Sequence, residues 1–118
     1  MIRLELDLLP PSLTTYLRLH WAQKKKWRQD FAWALRAALS EAGLELPDPP
    51  APKKRVRVTV HRIRLYDEDN LKGGCKPLWD GMRDIGLIRN DTPRWLRTEV
   101  EQKQSRSPRT EIEIEEIL

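Results

Sequence analysis

Three acidic residues stand together at Asp67, Glu68 and Asp69, followed at once by Asn70 and then by Lys72 and Lys76, with a further aspartate at Asp91. Two carboxylates at positions i and i+2 of an extended chain project from the same face, close enough to share one divalent cation. Left exposed without a partner they repel each other. A hard cation such as Mg²⁺ relieves that repulsion, because it prefers carboxylate oxygens and keeps several waters of its own. An EF-hand does not fit: with Asp67 and Asp69 as its first ligands, Leu71 and Leu78 would fall at positions that need oxygen. Asp91 is the better third ligand, since it follows the helix that leaves the acidic turn and precedes the next strand. The same residues also admit a plainer role, a solvated turn whose Asp and Asn side chains cap that helix. The only histidines, His20 and His61, read as structural or surface residues.

These groups must be positioned by the elements around them. Ile2, Leu4, Leu6 and Leu8 alternate with Arg3, Glu5 and Asp7, the period of a strand with one buried face, and Pro10 and Pro11 end it. From Trp21 the pattern changes to spacings of three and four, through Trp27, Phe31, Ala34, Leu35 and Ala38, with Gly43 as the stop of an amphipathic helix. Trp33 and Ala37 lie away from that apolar stripe and suit an interface. The proline-rich stretch Leu46–Lys54 is a surface connector. Val56, Val58 and Val60 alternate again, whereas Ile63 and Leu65 have the opposite parity. A bulge near His61 and Arg62 would return both sets to the core and leave Asp67 and Asp69 in phase at the strand's far end.

Leu71, Cys75, Leu78, Met82 and Ile85 mark a second helix. Pro77 is tolerated only in a first turn, so the helix is expected to start near Gly73 or Gly74, after a turn over "NLKGG", and to close at Gly86. Leu96, Thr98 and Val100 give a third strand and Ile112 and Ile114 a fourth, joined through "SRSPR". The order β-α-β-α-β-β implies an α+β domain, residues 1–118, with a small mixed sheet and two main helices on one or both faces.

Composition narrows the partners. There are 22 Lys and Arg against 18 Asp and Glu, a net charge of +4, and the cations cluster at Lys24–Arg28, Lys53–Arg57 and Arg94–Arg97. Such a surface favours negatively charged partners, and Lys24, Lys25, Lys26 and Arg28 are candidates for phosphate contacts that position a duplex without reading its sequence. A solvated helix face would carry the same residues. The single cysteine, Cys75, excludes an internal disulfide and every cysteine-based zinc pattern. With no signal peptide and no apolar run long enough to span a bilayer, the chain reads as a soluble cytoplasmic protein.

The stretch "YDEDNLKGGCKPLWDGMRDIGLIRND", with "LLPPS" upstream, resembles the signature of the RusA-type Holliday junction resolvases, small dimeric endodeoxyribonucleases often carried by phages and prophages. The resemblance matches Asp67 and Asp69 to the family's first acidic pair, Asn70 to its Asn, and Asp91 to its last acid. Lys76 matches the helix lysine four residues before Asp80, although the inserted "GGC" makes Lys72 a competitor for that role. After "PPS" the family has Asn and a basic residue where this chain has Leu13, Thr14 and Thr15.

What the resemblance implies is an Mg²⁺-dependent hydrolase that nicks a four-way junction symmetrically as a homodimer, in DNA recombination and repair. Asp67, Asp69 and Asp91 would hold the metal, Lys76 would be catalytic, and Asn70 and Lys72 would meet DNA beside the basic run. Two other readings remain open. One is a non-catalytic nucleic-acid-binding module of the same fold; the other is a different metal-dependent phosphotransfer enzyme, which the lack of a Gly-rich phosphate loop disfavours.

Overall fold

The computed structural model describes residues 1–46 and 53–117. Its elements run β1 (Ile2–Leu6), α1 (Leu13–Leu17), α2 (Trp21–Glu41), β2 (Lys54–Arg62), α3 (Glu68–Gly73), α4 (Lys76–Asp84), β3 (Leu96–Gln104) and β4 (Arg109–Glu116). The four strands form one mixed sheet in the order β1-β4-β2-β3. β4 is antiparallel to both β1 and β2, whereas β3 runs parallel to β2. The expected α+β architecture is therefore present, with two short helices, α1 and α3, that periodicity did not announce. Residues 47–52, most of the proline-rich connector, lie outside the described residues. Among the described residues no helix is long and apolar enough to cross a membrane.

Alternation decides which side of the sheet is covered. Val56, Val58 and Val60 of β2, Leu4 and Leu6 of β1, and Ile112 and Ile114 of β4 are buried together with Phe31, Leu35 and Leu39 of α2 and Leu78 and Met82 of α4. The intervening positions are polar and paired across strands, as in Arg57–Glu99, Arg55–Glu115 and the Thr59 hydroxyl donating to Glu101. Helices thus pack on one face only, and the other is a charged lattice. The helices α2 and α4 stop as the glycines suggested, with Gly43 at φ 69° and Gly86 at φ 79°.

Two expectations fail in the region that carries the acids. β2 has no bulge: its ladder with β3 runs unbroken from Lys54 opposite Leu96 to Arg62 opposite Gln104. Ile63 and Leu65 consequently lie outside the strand and are 59% and 52% exposed. The cause is Arg62, which is buried with its guanidinium 3.7 Å from the Tyr66 ring centroid and donates to the Pro10 carbonyl at 3.2 Å. That clasp turns the chain off the sheet. The segment "NLKGG" is likewise not a simple turn, because α3 occupies Glu68–Gly73 and α4 begins only at Lys76, with Pro77 in its first turn.

The N-terminal segment crosses tightly over the junction between α3 and α4. A Cβ added at Gly74 would lie 1.8 Å from the Pro11 carbonyl oxygen, so only glycine lets the two backbones meet there. Gly74→Ala is expected to lower the unfolding free energy by about 1–3 kcal/mol, read as a reduced urea midpoint at unchanged slope. An unchanged midpoint would mean that the crossing is not held in solution.

Candidate functional site

The acidic turn owes its shape to a cap. Asp67 has extended φ and ψ and precedes α3 as its N-cap, with Oδ1 accepting from the Asn70 backbone N–H at 2.9 Å. Its Oδ2 accepts from Asn70 Nδ2 at 3.0 Å. Glu68 and Asp69 follow in the first helical turn, where unpaired N–H groups favour negative charge. Asp67 and Asp69 are therefore not neighbours on a strand face, as a bulged β2 would have placed them, but N-cap and first-turn residues of a helix. Both are exposed.

Asn70 does more than meet Asp67. Its Oδ1 accepts from the Thr14 backbone N–H and the Thr14 hydroxyl, both at 3.0 Å, so one carboxamide ties α3 to the start of α1. Upstream, Gln102 of β3 accepts from the Tyr66 N–H at 3.0 Å and donates to its carbonyl. These bonds fix the turn from both sides. Accepting from the Asn70 backbone and then its side chain holds the Asp67 carboxyl below the ordinary carboxylate range, and the Lys72 ammonium does the same for Glu68. Asp67 and Glu68 are thus ionised at neutral pH.

A second cluster lies on α4 and the loop before β3. Lys76 Nζ sits 2.6 Å from Asp91 Oδ2 and 3.1 Å from Asp80 Oδ1, and Arg83 approaches the same two carboxylates at 3.6–3.8 Å. Lys72, by contrast, pairs with Glu68 at 2.6 Å. Of the two competing lysines, Lys76 is the one that reaches the later aspartate. The Lys76 hydrogen bond holds the Asp91 carboxyl below its usual range, and Asp91 in turn raises the Lys76 ammonium. Arg83 and Tyr16 were not among the expected site residues, and Asp80 entered only as the helix acid four residues after Lys76, with no role assigned to it. The spacing could have assigned one, since Lys76 and Asp80 are four apart on a helix and Asp80 and Arg83 three apart.

The three expected metal ligands do not come together. Among the described residues, no group of three His, Cys, Asp or Glu side chains is placed to hold a metal ion. The physical reason is visible in the pairings: Asp67 faces Asn70, while Asp91 is clasped by Lys76. The donors that do share one hollow, of about 400 Å³, are Asp67, Glu68, Asp69, Asn70 and Thr14. They offer oxygen ligands on an exposed surface, and each Asp67 oxygen keeps a lone pair beyond its bond to Asn70. Such a set fits Mg²⁺ bound by one or two carboxylates with water and phosphate completing the shell. It does not fit a cage of three protein carboxylates.

Asp80 of the second cluster also lines a cleft of about 450 Å³, together with Tyr16, Trp21, Lys24, Lys25, Arg28, Gln29 and Asp84. Lys24 and Lys25 therefore face a concavity, with the Lys24 ammonium 5.3 Å from the Tyr16 ring centroid. The other expected phosphate contacts are engaged within the protein. Arg28 forms a two-pronged pair with Asp84, and Lys26 lies 3.4 Å from Asp30. His20 caps α2, its Nδ1 accepting from Ala22 at 3.2 Å, and His61 is buried beside Glu111; both are structural.

The sequence matches no family model and no curated protein.

Because Asp91 titrates below its unfolded value, its pairing with Lys76 contributes stability above the ordinary carboxylate range. That contribution is lost as pH falls through the folded pKa. In Lys76→Met, carboxyl-carbon NMR should show the Asp91 pKa moving up and the acid-side loss of stability shrinking. A titration unmoved by the substitution would break the pair.

Proposed function

We propose that this chain is an Mg²⁺-dependent, structure-selective endodeoxyribonuclease that resolves four-way DNA junctions by paired nicks, in recombination and repair. The observation that carries this reading is the Asp67–Asp69–Asn70 turn, exposed and tied to α1 through Thr14, while Tyr16 of that same helix lines a basic cleft whose other walls come from α2 and α4. It agrees with the sequence's resemblance to RusA-type resolvases.

Asp67 and Asp69 would hold the ion, which when bound supplies an activated water and offsets charge on a phosphate in flight. Asn70 orients Asp67 by donating to Oδ2 and anchors the turn through Thr14. Lys76 offers a point charge for a backbone phosphate. Taking up that phosphate would draw the ammonium away from Asp91. Lys24 and Lys25 gather phosphates along the duplex arms without reading bases.

Asp67→Asn and Asp69→Asn are each expected to reduce Mg²⁺-dependent nicking of a synthetic four-way junction by about 100-fold or more, while gel-shift affinity for the junction is kept or tightened. A matched linear duplex should stay uncut by the wild-type protein. One observation favours a second reading, a non-catalytic binding module: Asp91 is spent on Lys76 rather than on a shared ion site. That reading gains if junction binding is Mg²⁺-independent and no nick forms.

Paired nicks require two copies related by a twofold axis. Trp33, 75% exposed on α2 with Ala37 one turn on, provides an apolar patch for the second copy. Trp33→Glu should shift sedimentation from dimer to monomer. A sedimentation profile identical to wild type would remove this patch from the interface.

A further inference from the structure

The cleft at the start of α2 combines features that phosphate contact alone does not use. Trp21, Lys24, Lys25 and Arg28 occupy positions i, i+3, i+4 and i+7 of one helix and all line it. Trp21 is 68% exposed there, a large aromatic surface left to solvent on a soluble face. Of the three cations, Arg28 is neutralised by Asp84, whereas among the described residues neither Lys24 nor Lys25 forms an ion pair with a carboxylate. The floor holds Asp80, whose side chain is only 10% exposed. Its Oδ1 is enclosed, 3.1 Å from Lys76 Nζ and 3.6 Å from the Arg83 guanidinium, so the cleft meets Asp80 as a carboxylate held between two cations.

We propose that this cleft binds one unpaired nucleotide of a branched DNA strand, its base against the Trp21 indole and its phosphate on Lys24 and Lys25. A base amine or imide N–H entering the cleft would be drawn to the Asp80 carboxylate, as cytosine N4 is to acidic side chains elsewhere. The volume, about 450 Å³, lies within the range of small-ligand sites. An acidic peptide would use the lysines equally well, but its carboxylates would leave the indole unused and meet Asp80 as a like charge. Stacking on an exposed aromatic flanked by cations is how single strands are held without sequence preference. The inference rests on the nucleic-acid reading above and adds what the protein recognises at a branch: an unstacked base rather than the duplex arms.

The test uses the full-length protein without Mg²⁺ and fluorescence anisotropy of a short labelled oligo(dC), compared with an abasic strand of equal length and charge. Wild type should prefer oligo(dC), and Trp21→Ala should lose about 10- to 100-fold in affinity for it, down to the abasic level. Trp21→Phe should restore most of the preference. Equal binding of the two strands by wild type, undiminished oligo(dC) binding by Trp21→Ala, or displacement by polyglutamate as efficient as by oligo(dC) would overturn the proposal. Nicking is scored separately. Trp21-dependent binding with junctions left uncut in Mg²⁺ would refute the nuclease reading and keep this one. Cutting with binding indifferent to Trp21 would do the reverse.

Discussion

The carboxamide of Asn70 is the joint on which the local architecture depends. Through Nδ2 and its backbone N–H it engages both oxygens of Asp67, and through Oδ1 it receives two donors from Thr14. Of these four hydrogen bonds, the two to Thr14 connect segments 56 positions apart in sequence, and the two to Asp67 close the turn locally. Hydrogen bonds to an ionised partner are stronger than neutral ones. The aspartate is consequently a structural anion in its own right. The proposed metal role is compatible with this, because the cap occupies only one lone pair on each oxygen.

Electrostatics on this face works by local neutralisation rather than by an overall excess. Arg28 answers Asp84, Lys72 answers Glu68, and Lys76 with Arg83 answers Asp80 and Asp91. An exposed pair such as Lys72–Glu68 is screened by solvent and contributes little, so it exchanges readily for contacts with another charged molecule. Asp80 is the exception. Its burial makes the Lys76 and Arg83 charges necessary, since an isolated carboxylate there would be costly.

Much of the scaffold was legible in the residues. Period-two runs at Leu4–Leu6, Val56–Val60 and Ile112–Ile114 and the three-four spacing through Phe31 and Leu35 each found their core face. What failed was everything set by contacts distant in sequence. Ile63 and Leu65 suggested a bulge because parity cannot reveal that Arg62 is buried against Tyr66 and Pro10. α3 was hidden because its glycines and short length read as a turn, while its stability comes from the Asp67 cap and the docking of Thr14. The candidate acids were identified by type and spacing, but the partner of Asp91 was not, since Lys76 meets it only through the path of the loop before β3.

The placement of α3 and α4 has a kinetic consequence. Both lie between β2 and β3, which pair in parallel with residues 42 apart opposite one another, as at Lys54 and Leu96. Parallel partners of this separation close a large loop before any contact rewards it, and such closures are slow. β3 is also an outermost strand, as β1 is on the other side, joined to the sheet along one side only. The Gln102 bonds that brace Tyr66 belong to that strand, so fraying at its far end would loosen the acidic turn while the central ladder stayed intact. Hydrogen exchange at the Tyr66 amide would therefore report on the outermost strand's docking rather than on global unfolding.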